Sequence, residues 1–329
     1  MGKKGWILTV KYLMSIAKRI VVSLWKRGFW GTIIRQIQKT IGMVRLQEEV
    51  DTLYYFLNQH FEPKDMPRTK NFDLRILQDC DTLLLGILDK VCRKKGLTYW
   101  IDWGTLLGAV RHKGFIPWDD DIDVAMPRSD FNKAGNILKS ELEKYGITVK
   151  YVQNELERLT INYNHSENGT WVDIFPVDTY KSSYEYEIAR SDLLDLVNKY
   201  RKYYFSHTNS STKKLWAKKN DLIFNKMTGS KEYFFHGREC VFLKYTCFQR
   251  NSVLPLRRIQ FGEVKVNSPA AYDAYLSVVY GKNYMMFPKG GIEHHGTVTE
   301  RPPLDQWAKL NGVDMDDVKS YLTKIYNSI

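Results

Sequence analysis

Acidic side chains are missing from the start of this sequence, where no Asp or Glu precedes Glu48. The formal net charge of the chain is +12, and most of it comes from basic residues in that segment. The rest of the chain is therefore nearly neutral, which argues against a nucleic-acid-binding protein, because that class carries basic residues across its folded body. The ten basic residues are Lys3, Lys4, Lys11, Lys18, Arg19, Lys26, Arg27, Arg35, Lys39 and Arg45.

Cysteines are few, and the four present, Cys80, Cys92, Cys240 and Cys247, are widely spaced. Their spacing excludes a zinc site built from paired thiolates. Four cysteines in 329 residues also do not make a disulfide scaffold. We therefore expect buried free thiols.

Long apolar runs are absent as well. The largely apolar stretches at residues 12–17 and 20–25 are six residues each, whereas a helix needs about 20 residues to span a bilayer. Charges interrupt the apolar residues throughout the first segment, and no small-residue cleavage site follows an apolar block, so no cleaved signal is expected. The sequence predicts a cytoplasmic protein without a transmembrane helix.

The same segment, residues 1–46, has the pattern of a basic amphipathic helix. Such a helix would lie on an anionic membrane surface, at roughly 1 kcal/mol of attraction per basic residue near the surface. We expect peripheral association with the inner face of the membrane, although a helix packed on the body would show a similar pattern. At 100° per residue the apolar side carries Leu13, Ile16, Ala17, Ile20 and Leu24, and the basic side carries Lys11, Lys18, Arg19 and Lys26.

Hydrophobic periodicity in the body predicts an α+β fold. The chain becomes more polar and helical after Asp178, which divides it into a catalytic core at residues 70–180 and a helical C-terminal part at residues 181–329. The predicted helices are Asn71–Lys95, Asp130–Tyr145 capped by Ser129, Glu185–Tyr204, Asn209–Thr228 and Ala270–Tyr280. The predicted strands are Leu97–Ile101, Ile122–Ala125, Ile147–Val152, Leu159–Tyr163, Thr170–Phe175 ended by Pro176, and Gly262–Val266.

Four aspartates crowd into five positions, from Asp119 to Asp123. Carboxylates at that density repel one another unless cations neutralise them or water separates them. On an extended strand Asp119, Asp121 and Asp123 would share one face while Asp120 points away. An oxygen-only set of this kind suits Mg²⁺ or a similar hard divalent ion. A solvated acidic turn is the alternative.

A further carboxylate supports the metal site. Asp173 lies in the apolar stretch Trp171–Phe175, a predicted strand, where a charged residue needs a partner. A metal ion shared with the aspartate run would supply that partner. The sequence therefore predicts that carboxylates from two strands bind the same cation.

A glycine-containing turn precedes the aspartates. Gly104 and Thr105 combine a flexible backbone, exposed amides and a hydroxyl, which is how a loop approaches a phosphate group. Arg111 and Lys113 follow and would neutralise a diphosphate, with arginine favoured for paired contacts. We therefore expect a donor-phosphate site at Gly104, Thr105, Arg111 and Lys113.

The stretch from Gly104 to Asp123 closely resembles the LicD family of the nucleotidyltransferase superfamily, which includes fukutin and the fukutin-related protein. A looser similarity runs from about Leu74 to His295 and includes Trp171–Pro176 and Tyr280–Gly281. The resemblance implies a nucleotidyltransferase-type mixed β-sheet flanked by helices. It also implies transfer of phosphocholine or a similar phospho-linked group from a CDP-linked donor to a cell-surface glycan precursor, as in lipopolysaccharide or teichoic acid biosynthesis.

The resemblance also implies roles for particular residues. Asp121 and Asp123 would be the metal pair, with Asp119 and Asp173 as additional acidic groups around Mg²⁺ or Mn²⁺. Either Asp119 or Asp173 would accept the proton of the attacking hydroxyl. The acceptor would be a glycan or a lipid-linked glycan. His294 and His295 fall where relatives often carry a histidine and are either a substrate contact or surface residues; no cysteine spacing matches the zinc site of the fukutin-related branch.

An ordinary glycosyltransferase is the nearest alternative, because its Asp-x-Asp motif also holds a metal ion on a nucleotide sugar. It would transfer the sugar and release a nucleoside diphosphate, whereas the phosphotransferase would release a nucleoside monophosphate. The Gly104–Thr105 turn ahead of the aspartates favours the phosphotransferase.

Overall fold

The structure is a computed structural model that describes residues 43–153, 157–163, 170–206, 228–236, 246–287 and 314–329. The chain divides into two compact units, Met1–Glu62 and Pro63–Ile329. In the first unit the described element is helix α1, Met43–His60. The predicted amphipathic membrane helix around residues 11–26 lies outside the described residues and stays a prediction.

The second unit is built on a seven-stranded mixed sheet, which confirms the predicted α+β class. Strands run in the order β1-β2-β5-β4-β3, with β6 on β5 and β7 on β6. Within this sheet β2 and β5 are parallel, and the other described pairs are antiparallel. The strands are β1 Trp100–Ile101, β2 Asp123–Pro127, β3 Ile147–Gln153, β4 Glu157–Tyr163, β5 Trp171–Ser182, β6 Lys231–His236 and β7 Cys247–Gln249.

Helices and one separate hairpin flank the sheet. Within the described ranges, every helix is too short or too polar to span a bilayer. The helices are α2 Phe72–Lys95, α3 Trp103–His112, α4 Arg128–Leu142, α5 Tyr186–Ser206, α6 Arg250–Val253, α7 Tyr272–Tyr280 and α8 Met315–Ser328, with 3-10 turns at Pro63–Asp65 and Glu143–Tyr145. The hairpin consists of β8 Arg257–Phe261 and β9 Val264–Ser268.

Helix α2 forms the centre of the core and matches its predicted span. The Asn71 side chain caps its start by accepting the N–H of Leu74 at 3.1 Å. Gly96 ends it in the left-handed conformation at φ 66°, which glycine adopts without strain. Between these ends, Leu84 and Leu88 are fully buried. Both predicted helix boundaries are therefore confirmed.

Strand β5 corrects one predicted boundary. The sequence analysis ended this strand at Phe175–Pro176, but it continues to Ser182. Its pairing with β4 stops at Ile174 and its pairing with β6 begins at Val177, so Pro176 falls where that side of the strand has no ladder partner. The missing N–H of proline therefore breaks no hydrogen bond of the sheet. The proposed domain limit at residue 180 lies inside this strand, and the three-part division stays a prediction.

Two smaller predictions also have outcomes. Ser129 does not cap a helix, because α4 already begins at Arg128, with Pro127 in the capping position. The fixed φ of proline suits that position without a side-chain cap.

Cys80, Cys92 and Cys247 are buried free thiols as expected. Cys240 lies outside the described residues, as does most of the predicted helix Asn209–Thr228.

Candidate active site

Three aspartates converge in the turn between α3 and β2. Oxygen atoms of Asp119, Asp120 and Asp121 all lie within 4.8 Å of one another. The expectation that Asp120 points away from its neighbours is wrong, because β2 begins only at Asp123. The preceding residues form a tight turn, in which the N–H of Asp119 donates to the carbonyl of Ile116 at 2.9 Å. Strand alternation does not apply to such a turn.

Asp123 and Asp173 stand beside each other on β2 and β5. They are direct partners in the parallel register, and the N–H of Asp173 donates to the carbonyl of Ile122 at 2.9 Å. The Asp173 carboxylate accepts the hydroxyl of Thr160 at 2.5 Å and lies 3.2 Å from Nε of Arg158. The structure thus brings the two predicted strands together at their carboxylates.

The acidic side chains raise one another's pKa. Burial, followed by the charge of Asp121, raises the pKa of both Asp119 and Asp123 well above the usual range for a carboxyl group. Asp173 and Asp102 raise that of Asp123 further. Such mutual repulsion would be relieved by a bound divalent cation, and the donor atoms present are the carboxylate oxygens that Mg²⁺ and Mn²⁺ prefer. The residues therefore fit a metal site.

Gly104 and Thr105 lie in the first turn of helix α3, not in a flexible loop. The carboxylate of Asp102 caps this helix by accepting the N–H of Trp103 at 2.8 Å. The carbonyl of Asp102 accepts the N–H of Leu106 at 2.9 Å, which begins the helical ladder. The predicted phosphate loop is therefore a helix N-terminus, where unpaired backbone amides favour an anion.

This helix end contacts the acidic residues directly. A Cβ atom added to Gly104 would stand 2.8 Å from Oδ2 of Asp119, so only glycine allows the carboxylate to come this close. The hydroxyl of Thr105 accepts the backbone N–H of Asp123 at 2.9 Å. The predicted phosphate-binding residues and the predicted metal ligands are thus in one place.

Arg111 lies on the same helix but has other partners. Its guanidinium is buried and donates to the carbonyls of Tyr284 and Met286, both at 3.2 Å. Burial lowers its pKa to about 10, while the neighbouring Tyr280 and Asp119 act in the opposite direction. Arg111 therefore holds the segment after α7 beside the acidic cluster.

The other predicted site residues are not brought to the cluster by the described structure. Lys113 is exposed and follows the last residue of α3, roughly 14 Å along the helix axis from Gly104, from the rise of an α-helix. His294 and His295 lie outside the described residues. Their roles stay predictions.

A buried polar network that the sequence analysis missed lies beneath the helix N-terminus. Asp102 accepts hydrogen bonds from Tyr275 at 2.9 Å and from the His236 ring at 2.5 Å. All three residues are at most 1% exposed. The position of Asp102 before a glycine and a threonine was a capping signal that could have been found. His236 ends the apolar run Tyr233–Phe235 and carries no sequence signal for this contact.

Tyr280 is a second missed residue. The residue is 45% exposed, but its hydroxyl faces the carboxylates. Burial of this group, followed by the charges of Asp102 and Asp119, raises the pKa of the phenol. The hydroxyl therefore stays protonated beside the acidic cluster and is available as a hydrogen-bond donor.

Comparison with known proteins agrees with this site. Residues 96–195 match the family model described as LicD/FKTN/FKRP, nucleotidyltransferase domain. The match contains α3, the aspartate turn, β2 and the paired aspartate of β5. This part of the chain is similar to the nucleotidyltransferase domain of the LicD family.

Several curated relatives are similar to part of this chain. The lipopolysaccharide cholinephosphotransferase LicD of Haemophilus influenzae is 40% identical over 72 residues, which are 21% of this chain and 27% of that protein. The human ribitol 5-phosphate transferase FKRP is 31% identical over 108 residues, which are 31% of this chain and 20% of that protein. An uncharacterized protein of Rickettsia prowazekii is 42% identical over 93 residues, or 28% of this chain and 31% of that protein. The similarity thus covers less than a third of each of these relatives.

Proposed function

We propose that this protein is a LicD-type transferase with a nucleotidyltransferase-type core. It would move phosphocholine or a similar phospho-linked group from a CDP-activated donor to a hydroxyl of a cell-surface glycan precursor. One observation carries the proposal: the first turn of α3 is packed against Asp119 and Asp123. An anion-binding helix end beside clustered carboxylates suits a diphosphate together with a divalent cation.

The names of two relatives support the same class of reaction. One is a cholinephosphotransferase and the other a ribitol 5-phosphate transferase. Both names describe transfer of a phosphate-linked group to an acceptor. The family model described as LicD/FKTN/FKRP matches residues 96–195, which contain the acidic turn that the proposal uses.

In the proposed site Asp121 and Asp123 hold Mg²⁺ or Mn²⁺, with Asp173 beside them on the next strand. When bound, the ion would supply positive charge that offsets the negative charge on the leaving group. The ion pair with Arg158 and the hydrogen bond from Thr160 orient the Asp173 carboxylate. The backbone amides at the start of α3 bind donor phosphate oxygens.

The reaction is an in-line displacement at phosphorus. The acceptor oxygen forms a bond to the phosphorus of the transferred group, the bond from that phosphorus to the bridging oxygen breaks, and CMP leaves. Asp119 or Asp173 takes the hydroxyl proton. The Asp173 oxygens also contact Thr160 and Arg158.

The N-terminal segment completes the proposal. A basic amphipathic helix would hold the enzyme at an anionic membrane surface, where a lipid-linked glycan acceptor is reached. The charge distribution of residues 1–46 supports this placement.

The experiment measures CMP released from a panel of CDP-linked donors with Mg²⁺ or Mn²⁺. The double variant Asp121→Asn, Asp123→Asn should lose activity by several orders of magnitude, because both proposed cation ligands are neutralised. Asp316→Asn, Asp317→Asn is the matched control, since it changes the charge by the same amount at two exposed positions in the first turn of α8. Full activity in the first double variant would contradict the mechanism.

The released nucleotide separates the proposal from its nearest alternative. A nucleotide-sugar glycosyltransferase with an Asp-x-Asp metal site would release a nucleoside diphosphate. Release of CDP in place of CMP, with transfer of an unphosphorylated sugar, would favour that enzyme.

A further inference from the structure

We propose that His236 and Tyr275 are positioning residues of the donor site, which hold the Asp102 carboxylate and through it set the first turn of α3 against the acidic cluster. The inference rests on the proposed function for the identity of the donor. Its structural basis is a closed hydrogen-bond network that joins β6 and α7 to the N-terminus of α3.

The Asp102 carboxylate is fully engaged by donors. Oδ1 accepts the N–H of Trp103 at 2.8 Å and the hydroxyl of Tyr275 at 2.9 Å. Oδ2 accepts the Nε2–H of His236 at 2.5 Å. A buried carboxylate of this kind is stable only while its donors remain, because loss of one leaves an uncompensated charge out of water.

The donors are themselves held in place. Nδ1 of His236 accepts the hydroxyl of Thr246, so the tautomer with hydrogen on Nε2 satisfies both ring nitrogens. The indole N–H of Trp100 donates to the Tyr275 oxygen at 3.2 Å. The ring of Tyr275 stacks on Phe248 with centroids 3.9 Å apart. The network therefore has one arrangement in which each of these groups is paired.

Asp102 connects this network to the candidate site through two hydrogen bonds, one from its backbone and one to its side chain. Its N–H donates to the carbonyl of Asp123 at 3.0 Å, which fixes the start of β2. Its carboxylate holds Trp103 in the left-handed region at φ 39°, a conformation that a bulky residue adopts only when its surroundings impose it. The Trp103 ring lies between Phe175 and His236, with centroids 4.9 and 5.0 Å away.

This strained residue immediately precedes the anion-binding turn. The backbone conformation of Trp103 sets the direction of the Gly104 and Thr105 amides. If the φ of Trp103 relaxed, the first amides of α3 would therefore turn away from the acidic cluster. Backbone strain held next to a candidate site by an over-determined network indicates pre-organisation. The network therefore does more than satisfy buried polar groups, because it also holds the backbone at the start of α3.

His236 and Tyr275 are too buried to touch a substrate, at 1% and 0% exposure. They also lie outside residues 96–195, the part that matches the LicD family model. Residues beyond the family match therefore also support the candidate site.

The test compares two buried tyrosine hydroxyls. Tyr275→Phe removes the donor to Asp102, and the control Tyr99→Phe removes a buried donor to Asp89, where the bond is 2.5 Å. For the histidine, His236→Leu removes the donor, while His236→Gln restores a side-chain N–H toward Asp102 and an acceptor toward Thr246. The probes are Mn²⁺ with inorganic pyrophosphate, measured by titration calorimetry on the full chain, and thermal unfolding of each variant.

We expect Tyr275→Phe and His236→Leu to weaken pyrophosphate binding by about tenfold or more, the effect of losing one buried hydrogen bond to a charged group. Tyr99→Phe should lower the unfolding temperature similarly but leave pyrophosphate affinity within about twofold, and His236→Gln should recover most of the affinity. With an active donor, the loss should appear in KM more than in kcat.

Equal pyrophosphate affinity in Tyr275→Phe and Tyr99→Phe would overturn the inference, and so would a wild-type protein that binds no pyrophosphate. Failure of the proposed function can be distinguished from failure of the positioning role. If no CDP-linked donor yields CMP but pyrophosphate binding still distinguishes the variants as expected, the donor assignment fails and the positioning role stands.

Discussion

At the scale of single residues, Gly104 is the point where helix and carboxylate meet. The absence of a side chain there lets Oδ2 of Asp119 approach the backbone, since an added Cβ would stand 2.8 Å away. Alanine favours a helix over glycine, so the substitution should not unfold α3. Its effect should fall on the carboxylate, which must rotate away.

We therefore expect Gly104→Ala to weaken Mn²⁺ binding and to lower CMP release by about tenfold or more, the scale of a misplaced active-site group, with little change in unfolding temperature. Calorimetric titration with Mn²⁺ checks the first effect. Gly135→Ala in α4 is the control, because its Cβ would meet Leu159 at an ordinary 3.4 Å. Wild-type Mn²⁺ affinity in Gly104→Ala would show that the contact is unimportant.

His112 should make stability depend on pH. Burial, followed by the charge of Arg111, lowers its pKa from 6.5 to about 4. The unfolded chain therefore binds this proton more readily than the folded one, so the stabilising contribution is present above pH 6.5 and is lost as pH falls toward 4.

The measurement is the denaturant midpoint of wild type and His112→Gln between pH 7 and pH 4. Both proteins carry the same carboxyl groups, so their difference isolates the histidine. Wild type should lose stability relative to the variant as pH falls. Parallel curves would show that the imidazole titrates alike in both states.

The sequence predicted best which side chains form the candidate site. Carboxylates at Asp119, Asp121, Asp123 and Asp173 were expected to gather. The structure brings Asp119 and Asp121 together with Asp120 in the turn and pairs Asp123 with Asp173 on β2 and β5. The orientation of Asp120 was wrong, because the alternation of a strand was applied to a turn. The role of each carboxylate at a cation stays a prediction.

At the scale of elements, the segment containing Gly104 and Thr105 was predicted as a turn and is a helix. Glycine signals a turn only when no other interaction fixes the backbone. Here the Asp102 cap starts the helix, and Leu106, Leu107 and Ala109 bury its inner face. Gly108 serves a close approach instead, since a Cβ there would stand 2.4 Å from the carbonyl oxygen of Gly114.

Helix α8 stabilises the core by packing on α2. Leu322 is fully buried in this contact. We expect Leu322→Ala to reduce the free energy of unfolding by about 2–5 kcal/mol, the usual range for a leucine deleted from a packed core. Chemical denaturation measures the change. Lys324→Ala, at an exposed position two residues later, should change it by less than about 0.5 kcal/mol. Equal effects would mean that α8 does not contribute to the core.

At the scale of the whole molecule, the contacts that define the site join distant parts of the chain. His236 and Tyr275 reach Asp102 across 134 and 173 residues. Local periodicity predicts helices and strands but holds no information about which buried side chains meet across such separations. The seven-stranded order, the parallel β2–β5 pair and the network under α3 therefore required the structure.

The β2–β5 pair also determines when the site can form. Asp123 leaves the ribosome fifty positions before Asp173, and α4, β3 and β4 must be made between them. A nascent chain can therefore form the earlier helices and strands while its acidic turn still lies in water. The carboxylate of Asp173 joins the negative charge of the acidic turn only when β5 pairs with β2.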